Sequence, residues 1–235
     1  MHDQLQLGEL TCHVQRKHIK HLHLSVRPPM GRVTVSAPMH LQLDTIRAYL
    51  ISKLSWIQKQ QLKMQQQERL PPLEYIERES HYLWGKGYLL SVKEAPSTPK
   101  ITRQHDTLLL TIRPGTEKAK RQALFEAWYR EQLKIKATQM IRLWERRLGV
   151  QVKKLYVRRM KTKWGSCTYQ RETIRLNTEL ARKPKACLEY LVVHEMVHLL
   201  EPSHNKRFYG LMDFHLPNWK TTRDILNNFP LSHDS

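Results

Sequence analysis

Residues 191–204 read LVVHEMVHLLEPSH, an apolar run that carries three histidines and two glutamates. On an α-helix, His194 and His198 lie one turn apart and project from the same face, where both imidazoles can close on one ion. Glu195 follows the first of them and stands beside the pair. The pattern is H-E-x-x-H, in which two histidines ligate zinc and the glutamate acts as general base toward the water on the metal. Leu191, Val192, Val193, Met196, Val197, Leu199 and Leu200 flank these groups. The helix is therefore predicted to run over 184–200 and to be buried nearly all round. An ionised glutamate in such a setting is costly unless something positive meets it. A divalent cation supplies that partner.

Two helical imidazoles leave a catalytic zinc short of its third protein ligand. Pro202 stops the helix four residues after His198, and the chain beyond it can turn back so that His204 completes the set. Glu201 is the other ligand type within reach, but extended geometry before a proline points it away, so His204 ranks above it. Three protein ligands and one open position describe a hydrolytic centre. The metal polarises a carbonyl or phosphoryl oxygen, while Glu195 takes a proton and later delivers it to the leaving group.

Upstream, LYVRRMKTKWGSC at 155–167 and TIRLNTEL at 173–180 read as strands. Arg159, Lys161 and Lys163 alternate along the first, which predicts a cationic row on one face near the metal. Trp164, Gly165 and Ser166 are expected to shape the sheet edge beside the cleft, Gly165 permitting close backbone approach and Trp164 supplying a wall. Cys167 has no local base and makes a weak nucleophile, and Cys187 reads as core packing. Residues 116–148 form the longest helical pattern, closed by Gly149 as a left-handed cap. Its stripe is predicted to be Leu124, Trp128, Ile135, Thr138, Ile141 and Leu148. A last helix is predicted over 218–229.

The N-terminal part is mainly β. In HIKHLHLSVRPPMGRVTVSAP at 18–38, alternation predicts a hairpin about a Pro-Pro-Met-Gly turn, with His21 and His23 together on the solvent face. A helix capped by Asp44 or Thr45 follows over about 44–69 and stops at Pro71 and Pro72. Short strands are predicted around 82–92 and 107–112. The chain thus reads as α+β, with a β-rich region and one long helix over 1–115, a catalytic domain over 116–235, and no internal repeat.

With these residues in place, the segment 157–219 resembles the YgjP-like metallopeptidase family, itself related to the SprT-like zinc metallopeptidases. VRRMKTKWGSC at 157–167, IRLNTEL at 174–180, YLVVHEMVHLLEPSH at 190–204, RF at 207–208 and Trp219 carry the resemblance. RPPMGRVTVSAP at 27–38 and KLSWI at 53–57 share the family's character. The resemblance implies zinc on His194, His198 and His204, with Glu195 as the catalytic glutamate. It also implies a zincin-like fold, with an active-site helix, a backing helix over 116–148 and a small sheet. The EPS loop before His204 departs from the more usual basic, Asn-containing one.

Bulk composition leaves the partner open. Forty Lys and Arg against 21 Asp and Glu give a net charge of +19, which draws the chain to polyanions. A zinc-dependent peptidase acting on peptide or protein is the leading reading. One alternative is a metal-dependent hydrolase of nucleotide phosphoanhydrides that grips an anionic ligand with Arg159, Lys161 and Lys163. Another is a basic nucleic-acid-binding protein with structural zinc, which would want a fourth protein ligand where the sequence offers three. The N-terminal residues lack the apolar core of a signal peptide, and no stretch nears the roughly 20 apolar residues of a membrane span. A cytoplasmic protein with no membrane partner is expected, its three cysteines reduced.

Overall fold

Alternation of apolar and polar residues makes the first sheet. In the computed structural model, which describes residues 2–27, 31–66 and 73–229, β1 (His2–Leu7), β2 (Leu10–Lys17), β3 (His23–Arg27) and β4 (Arg32–Pro38) pair in the order β1-β2-β4-β3. Cys12, Val14, Val33, Val35 and Ala37 turn to one face and are buried with Ile46, Leu50 and Ile57 of the following helices. Successive side chains of a strand face opposite sides, so a period of two buries one face alone. The predicted hairpin is present as β3 and β4, antiparallel with Val26 opposite Val33. His21 and His23 are exposed. Turn residues 28–30, the end of the predicted helix at 67–69 and the prolines at 71–72 lie outside the described residues.

The one helix predicted over 44–69 is two, α1 (Leu43–Ser52) and α2 (Leu54–Gln66). Between them the N–H of Lys53 bonds to Leu50 O at 3.1 Å, a short-range closure that tightens the turn and breaks the ladder. Neither Asp44 nor Thr45 caps α1. Gln42 holds the N-cap without a side-chain bond, and Asp44 sits in the first turn, where its charge suits the helix dipole.

A second sheet comprises β5 (Ser80–Leu83), β6 (Lys86–Glu94), β7 (Lys100–Gln104) and β8 (Thr107–Ile112), in the order β5-β6-β8-β7. Its order and strand senses repeat those of the first sheet: outer pairs antiparallel, central pair parallel, a helix after the fourth strand. No repeat is visible in the residues because the likeness is one of connectivity, carried by different side chains. The chain divides into compact units at Met1–Leu70 and Pro71–Asp234, earlier than the boundary at 115 read from the sequence. The core explains the difference. Leu83, Leu90, Leu108, Leu110 and Ile112 of the second sheet are buried in one interior with Phe125, Tyr129 and Leu133 of α3 (Lys118–Leu148).

Gly149 closes α3 at φ 66°, its N–H on Glu145 O at 2.9 Å, as the glycine predicts. The buried stripe differs in phase from the predicted one. It runs Phe125, Tyr129, Leu133, Ala137, Ile141, Trp144 and Leu148. Leu124 and Trp128 are half-buried at its margin, and Ile135 is 49 % exposed. Two apolar rows lie side by side in this helix, and the sheet takes the aromatic one.

A third sheet, order β10-β11-β9, comprises β9 (Lys154–Arg158), β10 (Gly165–Thr168) and β11 (Thr173–Asn177). The strand predicted through 155–167 is therefore interrupted: residues 159–164 leave the sheet, and β9 and β10 become its two edges. Asn177 anchors the excursion. Its Nδ2 donates to Met160 O at 2.8 Å and Lys163 O at 2.9 Å, its N–H donates to Trp164 O at 2.8 Å, and its Oδ1 accepts from Glu179 N at 3.2 Å. Helices α4 (Lys185–Val197), α5 (Lys206–His215) and α6 (Trp219–Asn228) complete the unit. No helix among the described residues is long and apolar enough to cross a membrane.

Asn177 is fully buried, and truncating it removes the side-chain donor shared by the Met160 and Lys163 carbonyls together with the acceptor for Glu179 N. Asn177→Ala is predicted to cost about 2–3 kcal/mol in urea denaturation.

Candidate metal centre

Helix α4 is the buried element on which the centre is built. Leu188, Val192, Val193, Met196 and Val197 are fully buried, and Trp144 of α3 donates its Nε1–H to Glu189 at 3.2 Å. The helix ends at Val197 rather than at the predicted Leu200. His198 is its C-cap in α geometry, and the N–H groups of Leu199 and Leu200 close back on Met196 O and Val197 O. This tightening precedes Pro202 and leaves the i, i+4 spacing of His194 and His198 intact.

His204 returns to meet them. His194 Nε2 and His204 Nε2 stand 3.1 Å apart, and one ring nitrogen from each of the three histidines lies within 4.8 Å of the others. Nitrogens bound about 2.0–2.1 Å from a tetrahedral ion stand about 3.3 Å apart, so the separation suits a shared cation. His198 Nδ1 lies 3.2 Å from Glu201 O; donating there leaves its Nε2 lone pair free for a metal. Burial, reinforced by the neighbouring imidazoles, lowers the pKa of His194 to about 3. Burial also lowers that of His198. Neutral imidazoles are the form a metal takes. The Glu201 side chain accepts from Ser203 N at 3.2 Å and faces Arg207 at 3.9 Å, and it is not among the clustered ligand groups.

Aromatic rings hold the third histidine, which is on irregular chain. Phe208, fully buried, sits with its ring centroid 5.0, 4.7 and 4.7 Å from those of His194, His198 and His204. Asn205 fixes this residue by capping α5, its Oδ1 accepting from Phe208 N at 3.0 Å. On its other side His204 stacks on Tyr209, Tyr209 on Trp219, and Trp219 on Tyr190 of α4, at 6.3, 5.7 and 6.3 Å. These separations are those of favourable ring pairs. The sequence marks Phe208 and Trp219 only as part of a family resemblance; their packing role depends on α5, a helix not predicted.

Glu195 is 4 % exposed. No ion pair or hydrogen bond reaches its carboxylate among the described residues, and burial pushes its pKa up to about 8, with Lys163 pulling the other way. A dication beside it would favour the charged form. Gly165 does lie against it: a Cβ there would stand 2.7 Å from Glu195 Oε1 and 3.1 Å from Leu191 Cδ2. Burial, then the Glu195 charge, pushes the Cys167 thiol up to about 12, which disfavours the thiolate a nucleophile needs. Trp164 is half-buried against the core, with the Lys183 ammonium 5.9 Å from its ring.

The predicted cationic row is not formed, because 159–164 is not a strand. Arg159 turns to Glu126 of α3 at 3.6 Å, Lys161 is exposed, and Lys163 alone influences Glu195.

A mixed α+β fold and three converging imidazoles beside a buried glutamate define a metallohydrolase. The chain belongs to the YgjP-like family: the model described as "YgjP-like, metallopeptidase domain" matches residues 20–229. No curated protein matches. Among solved structures, the metallopeptidase zymogen abylysin of Pyrococcus abyssi is 19 % identical, covering 38 % of this chain and 90 % of that one at a TM-score of 0.36. The zymogen jannalysin of Methanocaldococcus jannaschii is 18 % identical, covering 39 % and 93 % at 0.35.

Gly165→Ala places a methyl group on the Glu195 carboxylate. An alanine normally strengthens a strand, yet here the clash sets the sign, and unfolding is predicted to become easier by about 1–3 kcal/mol.

Proposed function

We propose that His194, His198 and His204 hold a zinc ion and that the protein is a peptidase in which Glu195 is the general base. The carrying observation is that three ring nitrogens lie within 4.8 Å of one another, next to a buried carboxylate that has no ion pair or hydrogen bond among the described residues. When bound, the metal supplies Lewis-acid polarisation of a carbonyl and acidification of water. The chain's own residues do the rest. Glu195 takes the proton of the attacking water and hands it to the departing amine, and Gly165 of β10 packs against its carboxylate with no room for a side chain. β10, an edge strand whose first residue touches Glu195, offers free backbone N–H and C=O groups on which an extended peptide can pair. Trp164, Gly165 and Ser166 then line the substrate's path.

Hydrolysis of nucleotide phosphoanhydrides loses its main support with the cationic row, since Arg159 and Lys163 do not stand on one strand face.

Glu195→Gln is expected to retain metal and to lower peptide hydrolysis by about 10²–10⁴-fold. Equal turnover by the two metal-loaded proteins would remove Glu195 as the base. His204→Ala is expected to weaken zinc binding in a chelator competition by at least tenfold, about the scale of losing even an outer partner of a ligand. Unchanged affinity would remove His204 from the ligand set.

A further inference from the structure

The register of β10 sorts its residues by face. Gly165 faces α4, where a Cβ would meet Glu195 and Leu191. Ser166 and Thr168 therefore face the other way. On that outer side Ser166 is level with Arg175 of β11, and Arg175 with Tyr156 of β9. The Arg175 guanidinium reaches toward β10, Nη1 donating to Thr168 Oγ1 at 2.8 Å, and lies 5.7 Å from the Tyr156 ring. No carboxylate pairs with Arg175 among the described residues. Lys154 and Arg158 share the outer face of β9 with Tyr156 and are exposed, likewise without an ion pair among those residues. Glu172, just before β11, is engaged by Lys153 at 2.5 Å.

We propose that this cationic, aromatic face selects peptides bearing an acidic side chain on the segment that pairs with β10. The inference rests on the peptidase reading and names its substrate class. An extended segment added to β10 alternates its side chains. Those opposite Gly165 and Cys167 turn to α4, and those opposite Ser166 and Thr168 fall on the outer face, their Cβ atoms about 4.5–5.5 Å from the β10 partners. A carboxylate there comes within a side-chain length of Arg175, whose planar fork matches it. A lysine in the same place meets the Arg175 guanidinium and is repelled, while Lys154 and Arg158, on the far edge strand β9, add only to the sign of the face. The charge sits at one register position of a pairing edge, which suits a single side chain better than the evenly spaced phosphates of a nucleic acid.

Binding is read by fluorescence anisotropy on zinc-loaded Glu195→Gln, which keeps peptides uncleaved. The probes are labelled octapeptides alternating valine with aspartate, asparagine or lysine, and a labelled short oligothymidylate. The aspartate peptide is expected to bind about tenfold tighter than the asparagine one, the scale of one charge-assisted bond. Adding Arg175→Ala removes that margin, Arg175→Lys keeps part of it, and Arg175→Glu turns the ranking toward the lysine peptide. Equal binding of the three peptides, binding of none, a ranking unmoved by Arg175→Glu, or tighter binding of oligothymidylate overturns the proposal. Failure of the peptidase reading has a different mark: hydrolysis undiminished by Glu195→Gln, with the charge ranking intact.

Discussion

A single helix cannot close a coordination shell around a metal. His194 and His198 on α4 offer two imidazoles on one face, and the geometry of the site turns on bringing a third from outside that helix. The chain does so in few residues. It tightens at the end of α4, turns at Pro202, and presents His204 just before Asn205 starts α5. A residue on so short and irregular a connection has little backbone to hold it. The restraint comes from rings: Phe208 beneath all three histidines, and a stack through Tyr209 and Trp219 that ends on Tyr190, one turn before His194 on α4 itself. The third imidazole is thus tied to the same helix that bears the other two.

The second constraint is the acid. A carboxyl 4 % exposed among valines and leucines, without a hydrogen-bond donor among the described residues, is unfavourable in its charged form. A cation among the adjacent imidazoles is the compensation the site provides for. The neighbouring strand is equally restrictive, since Gly165 stands where any side chain would collide with Glu195. One contact therefore links the glutamate to the edge strand. Displacing β10 would displace the acid, and the surface on which a substrate can pair is in register with the group proposed to act on it.

Much of this was legible in the residues. H-E-x-x-H fixes a helix and one face of it, Pro202 announces a turn, and the glycine of WGSC announces a close approach, each because a single residue type meets a local physical requirement. What the sequence hid depends on distant partners. Arg159, Lys161 and Lys163 have the spacing of a strand face, but Asn177 captures the carbonyls of Met160 and Lys163 and pulls the segment out of the sheet. In α3, Phe125 and Leu124 are equally apolar, and the second sheet decides which row is buried. The compact division at 70/71 rather than 115 has the same origin, as α3 shares its interior with the preceding strands. The matching connectivity of the two four-stranded sheets lies in strand order and sense, which the reading of single residues does not reach.

The proposed centre is a cation held by three imidazoles with a position left for solvent. X-ray absorption at the zinc edge of the zinc-reconstituted protein tests it most directly. One tightly held ion per chain is expected, surrounded by three imidazole nitrogens and one further light atom at about 2.0–2.1 Å. A sulfur in the shell, four nitrogens, or zinc that washes away without ordered imidazole scattering would contradict it.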